Sequence, residues 1–230
     1  MRQYPLMMNL EEELVLVVGG GKVALRKVKT LLECGAKIIV ISPELVEDLR
    51  RLSGESKFRW IAQHFADDLM SDFPRPTLIF GTTDYREVNV RIYQAAEKRG
   101  IPCNIADVPD LCTFTVPAVV NRGDLMISVS TGGASPALSR RIRESLQRQF
   151  GEEYAILIQL LGSLRKQLLQ LGGHSDENKK RFFKMVDSNL LQAIQDNDAE
   201  AAVSILRGLL PDEIDPKPIV SQAMTARAKR

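Results

Sequence analysis

The chain has 230 residues, 44% hydrophobic and 26% charged, with a formal net charge of +2. That size and composition suit one large or two small globular domains with real cores. So even a charge gives no push toward nucleic acid, and no apolar run approaches the roughly 18 residues of a membrane span. The first informative segment is Leu14-Val15-Leu16-Val17-Val18-Gly19-Gly20-Gly21-Lys22-Val23-Ala24. Five apolar residues rich in Val read as a strand buried on both faces. The glycines permit a sharp turn, and Lys22–Glu33 follows with near-helical apolar spacing at Val23, Val28, Leu31 and Leu32. Strand, glycine turn and helix together aim free N–H groups and a positive helix end at a diphosphate. Gly19, Gly21 and Ala24 complete G-x-G-x-x-A, a variant of the dinucleotide-binding fingerprint, in its required context.

A second strand over Lys37–Ile41 completes a βαβ unit, and a helix is expected over Pro43–Leu52. Phe58–Ile61, Thr77–Phe80 and Pro102–Ile105 read as further strands, with an amphipathic helix carrying Val88, Ile92, Ala95 and Ala96 between the last two. This alternation predicts an α/β fold, a Rossmann-like doubly wound parallel sheet over residues 1–112. A dinucleotide would lie across the carboxyl ends of its strands. Thr82, Thr83 and Asp84 close the fourth strand beside it, although Asp84 also suits a helix cap.

The pattern changes near Thr113. Two apolar runs flank Asn121-Arg122-Gly123-Asp124, a hairpin signal. Ser135 then reads as the N-cap, with Pro136 at the first helical position, of a helix reaching about Phe150. A hairpin and one helix bury little, so a small α+β dimerisation domain over 113–150, and a homodimer, are expected. Residues 151–225 read as a helical C-terminal domain. Its first helix should bury a stripe of Tyr154, Leu157, Ile158, Leu161, Leu164, Leu168 and Leu171 before a break at Gly172–Ser175. Helices over Phe182–Ile194 and Ala199–Leu209 follow, with order ending at Pro211, Pro216 and Pro218 and a frayed tail from Thr225. Near the start, Arg2 and then Glu11-Glu12-Glu13 make a poor signal peptide, so a cytoplasmic protein is expected. Three cysteines without CxxC spacing and two histidines argue for no resident metal, and Cys34 and Cys103 read as buried thiols.

Several separated segments match one family in order: Tyr4-Pro5-Leu6; Val18–Ala24 with Arg26-Lys27; Gly81–Asp84; Asn104–Asp107; Phe114–Ala118; and Ile127–Arg140. On these residues the chain resembles the precorrin-2 dehydrogenase/sirohydrochlorin ferrochelatase family, the dehydrogenase module of sirohaem synthesis. The match covers about residues 3–150; the helical remainder matches only in character. The resemblance implies a cofactor, NAD, and oxidation of precorrin-2, a tetrapyrrole, to sirohydrochlorin. Some members then insert Fe²⁺, and nothing in Asn104–Asp107 separates the two kinds.

In the family a carboxylate after the fifth strand partners the hydride transfer, and Asp107 stands there; by position alone it could equally be a turn residue before Pro109. The resemblance assigns the diphosphate to Gly19, Gly20, Gly21, Lys22, Val23 and Ala24, and the adenosine ribose to Ser42, Pro43 and Glu44. No Arg follows the second strand, which favours NAD over NADP. A substrate with eight carboxylates needs donors, for which Arg122, Arg140, Arg141 and Arg143, with the N–H groups of Gly132 and Gly133, are candidates. The plainer reading of those arginines is a solvated helix face. A competing reading of the whole chain is an NAD-binding regulatory or scaffolding module without catalysis.

Overall fold

The computed structural model describes residues 3–172 and 175–225. Two compact units divide the chain, Met1–Val116 and Pro117–Arg230.

In the first unit β1 (Leu14–Val18), β2 (Lys37–Ile41), β3 (Arg59–Ile61), β4 (Leu78–Gly81) and β5 (Cys103–Ile105) form one sheet in the order β3-β2-β1-β4-β5. All of its pairings are parallel. The run Val15–Val18 shows why a parallel strand reads as continuously apolar. Val15 and Val17 enter a core with Ala24, Val28 and Leu31 of α1 (Lys22–Glu33), while Leu16 and Val18 enter another with Ile92, Ala95 and Ala96 of α3 (Arg86–Lys98). Both faces exclude water, which fixes the strand ends that carry the site.

Helix α2 (Glu47–Gly54) begins four residues later than the expected start at Pro43. The intervening turn is held instead by Ser42 Oγ, which donates to the Glu44 carbonyl at 2.7 Å, and by Val46 N–H, which donates to the Gly20 carbonyl at 2.8 Å. Those bonds tie the end of β2 to the glycine turn and are incompatible with a helix there.

In the second unit β6 (Ala118–Arg122) and β7 (Leu125–Val129) form an antiparallel hairpin closed by Gly123 and Asp124. Arg122 therefore belongs to the strand rather than to the turn. Helix α4 (Pro136–Gln149) starts as expected, with Leu138 N–H donating to Ser135 Oγ at 3.2 Å. Helices α5 (Glu153–Gln170), α6 (Ser175–Val186), α7 (Leu190–Gln195), α8 (Ala199–Arg207) and α9 (Pro216–Thr225) follow. Their shared core includes Leu160, Leu164, Leu168, Met185, Leu190, Ile194, Leu206 and Val220.

Three expectations fail here. On α5 the buried stripe is Ile156, Leu157, Leu160, Leu164 and Leu168, whereas Leu171 is half exposed. The expected helix over Phe182–Ile194 is two, because Ser188 Oγ donates to the Met185 carbonyl and accepts Leu190 N–H, a local turn that competes with the helix. Order does not end at the prolines. Pro216 opens α9, where a missing N–H costs nothing, and Ile219, Val220 and Ala223 return to the core. The expected break at Gly173-His174 and the tail 226–230 lie outside the described residues. No helix among the described residues is long and apolar enough to cross a membrane.

Candidate active site

The carboxyl ends of β1, β2 and β4 meet around the glycine turn, and each glycine there has its own reason. Gly19 has φ +120°, and a Cβ would sit 2.5 Å from Thr82 Oγ1. That threonine is fixed: both its N–H and its hydroxyl donate to the Val18 carbonyl, at 2.8 and 2.9 Å. At Gly20 a Cβ would run into the Glu44 carbonyl. Gly21, by contrast, has nothing within 4 Å of where a Cβ would point. It is the N-cap of α1, with no side-chain cap and no acidic residue in the first turn. The N–H groups of Lys22, Val23 and Ala24 find no backbone acceptor among the described residues. Open space beyond Gly21 and uncapped donors at a positive helix end fit a dinucleotide's diphosphate.

The other expected cofactor residues line the same end of the sheet. Lys22 is exposed and Ala24 is buried against the sheet. Ser42 is buried and its carbonyl accepts the Nε1–H of Trp60 at 2.9 Å, while Pro43 and Glu44 face solvent. Thr83 Oγ1 donates to Asn89 Oδ1 at 2.8 Å, and Asn89 Nδ2 donates back to the Thr83 carbonyl at 2.9 Å, fixing the start of α3. Asp84 is not a helix cap. The N-cap of α3 is Tyr85, without a side-chain bond, and the Asp84 side chain is exposed.

Asp107 follows β5 at φ +60°, a left-handed conformation that Asp tolerates better than most residues. Ala106 N–H ties the corner to the Gly81 carbonyl at 2.8 Å. The single 3-10 turn that follows, Pro109–Leu111, has Val108 as its N-cap and no side-chain cap. Asp107 is thus not spent on capping: it is exposed and accepts no hydrogen bond among the described residues. Cys112 closes the corner from behind. Its sulfur accepts Ile105 N–H at 3.2 Å and lies within 3.3 Å of the Ile105 and Val108 carbonyls. Asn104 Nδ2 donates to the Phe114 carbonyl at 2.9 Å. A surface recess lined by Tyr93, Gly100, Pro102 and Thr113 opens at the opposite end of β5 and holds none of these residues.

In the second unit, Arg122 is spent on the end of α4. Its Nε donates to the Phe150 carbonyl at 2.8 Å, its terminal nitrogens to the Asn121 and Gln147 carbonyls, and it lies 3.4 Å from Glu152. Gly132 and Gly133 both have positive φ, 62° and 85°, with open space where a Cβ would be. The hydroxyl of Thr131 accepts Ser135 N–H at 3.1 Å and braces this loop, and Gly132 N–H donates to Ser130 Oγ. Arg140 pairs with Glu144 at 2.9 Å, and Arg143 with the same carboxylate at 3.2 Å. The Arg140 hydrogen bond is the main reason that carboxyl sits below its ordinary pKa. Arg141 is exposed. Among the described residues no group of three or more His, Cys, Asp or Glu could hold a metal ion.

Comparison with known proteins agrees with this layout. Residues 6–118 match a family described as putative NAD(P)-binding, and residues 122–149 one described as sirohaem biosynthesis protein, central. Over residues 6–149 the chain is thus similar to sirohaem biosynthesis proteins. It is 33% identical over 199 residues to a sirohaem synthase of Hydrogenovibrio crunogenus, covering 86% of this chain and 42% of that protein. A sirohaem synthase of Nitrosomonas europaea is 33% identical over 215 residues, 93% of this chain and 45% of its own. The chain therefore spans less than half the length of these curated relatives. A solved structure named SirC, precorrin-2 dehydrogenase, superposes with a TM-score of 0.74 at 25% identity, covering 90% of this chain and 98% of that one. The Rossmann-like sheet with a helical C-terminal region is thus shared with that structure.

Two residues of the corner escaped the sequence reading as site residues. Cys112 looked like an unpatterned thiol, but the tight corner after β5 folds its sulfur back on Ile105 and Val108, seven and four residues earlier. Lys27 stood among the residues that match the family but was given no role, and it is half-buried with its Nζ 5.2 Å from the Phe80 ring centroid. Conversely, Cys34, read as buried, is exposed at the end of α1, while Cys103 is buried and its thiol is pushed up to about 12 by burial.

Proposed function

We propose that this chain oxidises precorrin-2 to sirohydrochlorin with NAD⁺. The observation that carries the reading is Asp107: a carboxylate with no structural task, at the same end of the same sheet as an uncapped helix N-terminus behind an open glycine turn. In the proposal Gly19–Ala24 hold the diphosphate by backbone N–H groups, and Ser42, Pro43 and Glu44 border the ribose. Thr82, Thr83 and Asp84 close the pocket floor. NAD⁺ supplies the hydride acceptor when bound. Dehydrogenation removes a hydride and a proton from the macrocycle, and Asp107 takes the proton. An unpaired carboxylate suits that task, because a carboxylate tied into a salt bridge would resist protonation.

The exposed Glu44, with no Arg in Ser42-Pro43-Glu44, supports NAD over NADP, since its charge would oppose a 2′-phosphate. For the substrate carboxylates the reading keeps Gly132, Gly133 and Arg140. Arg122 stays in it only as a weak member, given its commitments at α4. The same carboxylate of Asp107 would accept the pyrrole protons displaced when Fe²⁺ enters sirohydrochlorin. Metallation of sirohydrochlorin by Co²⁺ without oxygen, at the protein-free rate, would remove that second step.

The hairpin and α4 leave Met126, Leu138 and Ile142 exposed, which supports residues 113–150 as the dimerisation segment between an NAD-binding part, 1–112, and a helical part, 151–225. Light scattering on the purified protein tests the homodimer, and fractionation of cells tests the cytoplasmic location. For the main reading the experiment is direct: purified protein, NAD⁺ and precorrin-2 without oxygen, followed by NADH absorbance. Growth of NADH in step with sirohydrochlorin supports it; NAD⁺ binding with no NADH would leave a regulatory or scaffolding module.

A further inference from the structure

Lys27 is an oddity in the first unit. It sits on the sheet-facing side of α1, half-buried, and makes no hydrogen bond or ion pair among the described residues. Its ammonium rests over the ring of Phe80, 5.2 Å from the centroid, and Phe80 in turn meets the edge of Phe114 at 5.5 Å. Phe80 pairs with Val17 of β1 on one side and with Asn104 of β5 on the other, and Asn104 Nδ2 donates to the carbonyl of the same Phe114, which links the lysine's ring platform to the strand leading into the Asp107 corner. The charged neighbour felt most is Arg26, which adds like charge, while the nearby Cys112 thiol is neutral because burial raises its pKa. No carboxylate balances it. Burial, and then Arg26, hold the Lys27 ammonium below its ordinary pKa.

A half-buried cation whose one contact is a ring face and not a counter-charge costs stability, and a methionine would fill the same space against Phe80 without that cost. The packing against Phe80 does not require this charge, which leaves the ammonium available to a ligand. The cofactor diphosphate is an unsuitable partner, because α1 already offers its own N-terminus and Lys27 lies five residues, about 7.5 Å, further along the helix. Cys112, by contrast, braces Ile105 and Val108, the residues on either side of Ala106-Asp107.

We propose that Lys27 is a substrate-binding residue, the anchor for one carboxylate of the tetrapyrrole beside the Asp107 corner. The inference rests on the dehydrogenase reading for the identity of the substrate. A carboxylate arriving at a desolvated ammonium forms a charge-assisted hydrogen bond of the strong kind. It also supplies the missing counter-charge, with Phe80 as the platform that holds the lysine in place.

The test separates the anchor from the reading that it rests on. Sirohydrochlorin, an octacarboxylate, is titrated without oxygen into wild-type protein, Lys27→Met and Lys27→Arg, and binding is followed by its visible absorbance. NAD⁺ binding is measured in parallel through the fluorescence of Trp60, the single tryptophan. Lys27→Met is expected to weaken sirohydrochlorin binding about tenfold, with Lys27→Arg recovering part of the loss and NAD⁺ affinity the same in all three. Equal sirohydrochlorin affinity in wild type and Lys27→Met, or parallel loss of NAD⁺ binding, overturns the anchor. Wild-type protein that binds sirohydrochlorin through Lys27 but forms no NADH from precorrin-2 would overturn the dehydrogenase reading and leave the anion site standing.

Discussion

Two turns at the carboxyl end of one sheet solve opposite problems. After β1, the turn at Gly19–Gly21 gives up side chains so that Thr82 and Glu44 can approach and the backbone N–H groups of α1 stay free. After β5, the turn keeps a side chain where glycine would be easier, placing Asp107 at φ +60° with its carboxylate unspent. The first turn works through backbone and the second through one functional group. On the proposed reading, glycine is the answer where the chain itself binds, and strain is tolerated where a side chain reacts.

The largest separation of the two comes from Asp107→Gly. Glycine relieves the left-handed backbone, so the melting temperature should hold or rise, while turnover should fall by about 10²–10⁴, the usual worth of a general base. A parallel fall in stability would show Asp107 to be a turn residue instead. Gly20→Ala should do the reverse. Its Cβ collides with the Glu44 carbonyl, so urea denaturation should show a loss of about 1–3 kcal/mol together with lost NAD⁺ binding. Gly21→Ala sharpens the same contrast at smaller scale. With open space around its Cβ, stability should stay within about 0.5 kcal/mol, whereas NAD⁺ affinity should drop about tenfold by calorimetry. Unchanged affinity would move the diphosphate away from this turn.

Behind the second turn, Cys112→Ala removes a sulfur that holds Ile105 and Val108. A loss of about 1 kcal/mol is expected, with kcat falling more than NAD⁺ affinity. The smallest effect is electrostatic. The Cys103 thiol, raised from 9.0 to about 12 by burial, is neutral in the fold when its unfolded counterpart has ionised. Its stabilising contribution is complete below pH 9 and is lost as pH climbs toward about 12. Cys103→Ala should flatten the denaturation profile over that window.

The first turn was legible in the sequence because its physics is local: a Val-rich strand, glycines and an amphipathic helix occupy consecutive positions. The five-stranded parallel sheet followed from the same alternation. Asp107 could be located but not interpreted from its neighbours alone, since whether it capped Pro109 or stood free depended on Val108 taking the N-cap. Lys27 was illegible because its partner Phe80 lies far away in sequence and meets it only through tertiary packing, whereas Cys112 was missed although Ile105 is seven residues away, because no regular period marks the tight corner that folds the sulfur back. In the second unit the helical prolines misled for a local reason. A proline at a first helical position starts α9 as readily as it ends a chain's order. The serine turn at Ser188 was equally hidden inside an apolar pattern that reads as one helix.

The most direct measurement compares wild-type protein and Asp107→Asn in one solution containing NAD⁺ and precorrin-2 without oxygen, following NADH by absorbance and bound NAD⁺ through Trp60. Asparagine keeps the shape and the tolerance for φ +60° but cannot take a proton. The account predicts equal NAD⁺ affinity and NADH formation at least about a hundredfold slower in the variant. Asp107→Asn turning over at the wild-type rate would contradict it.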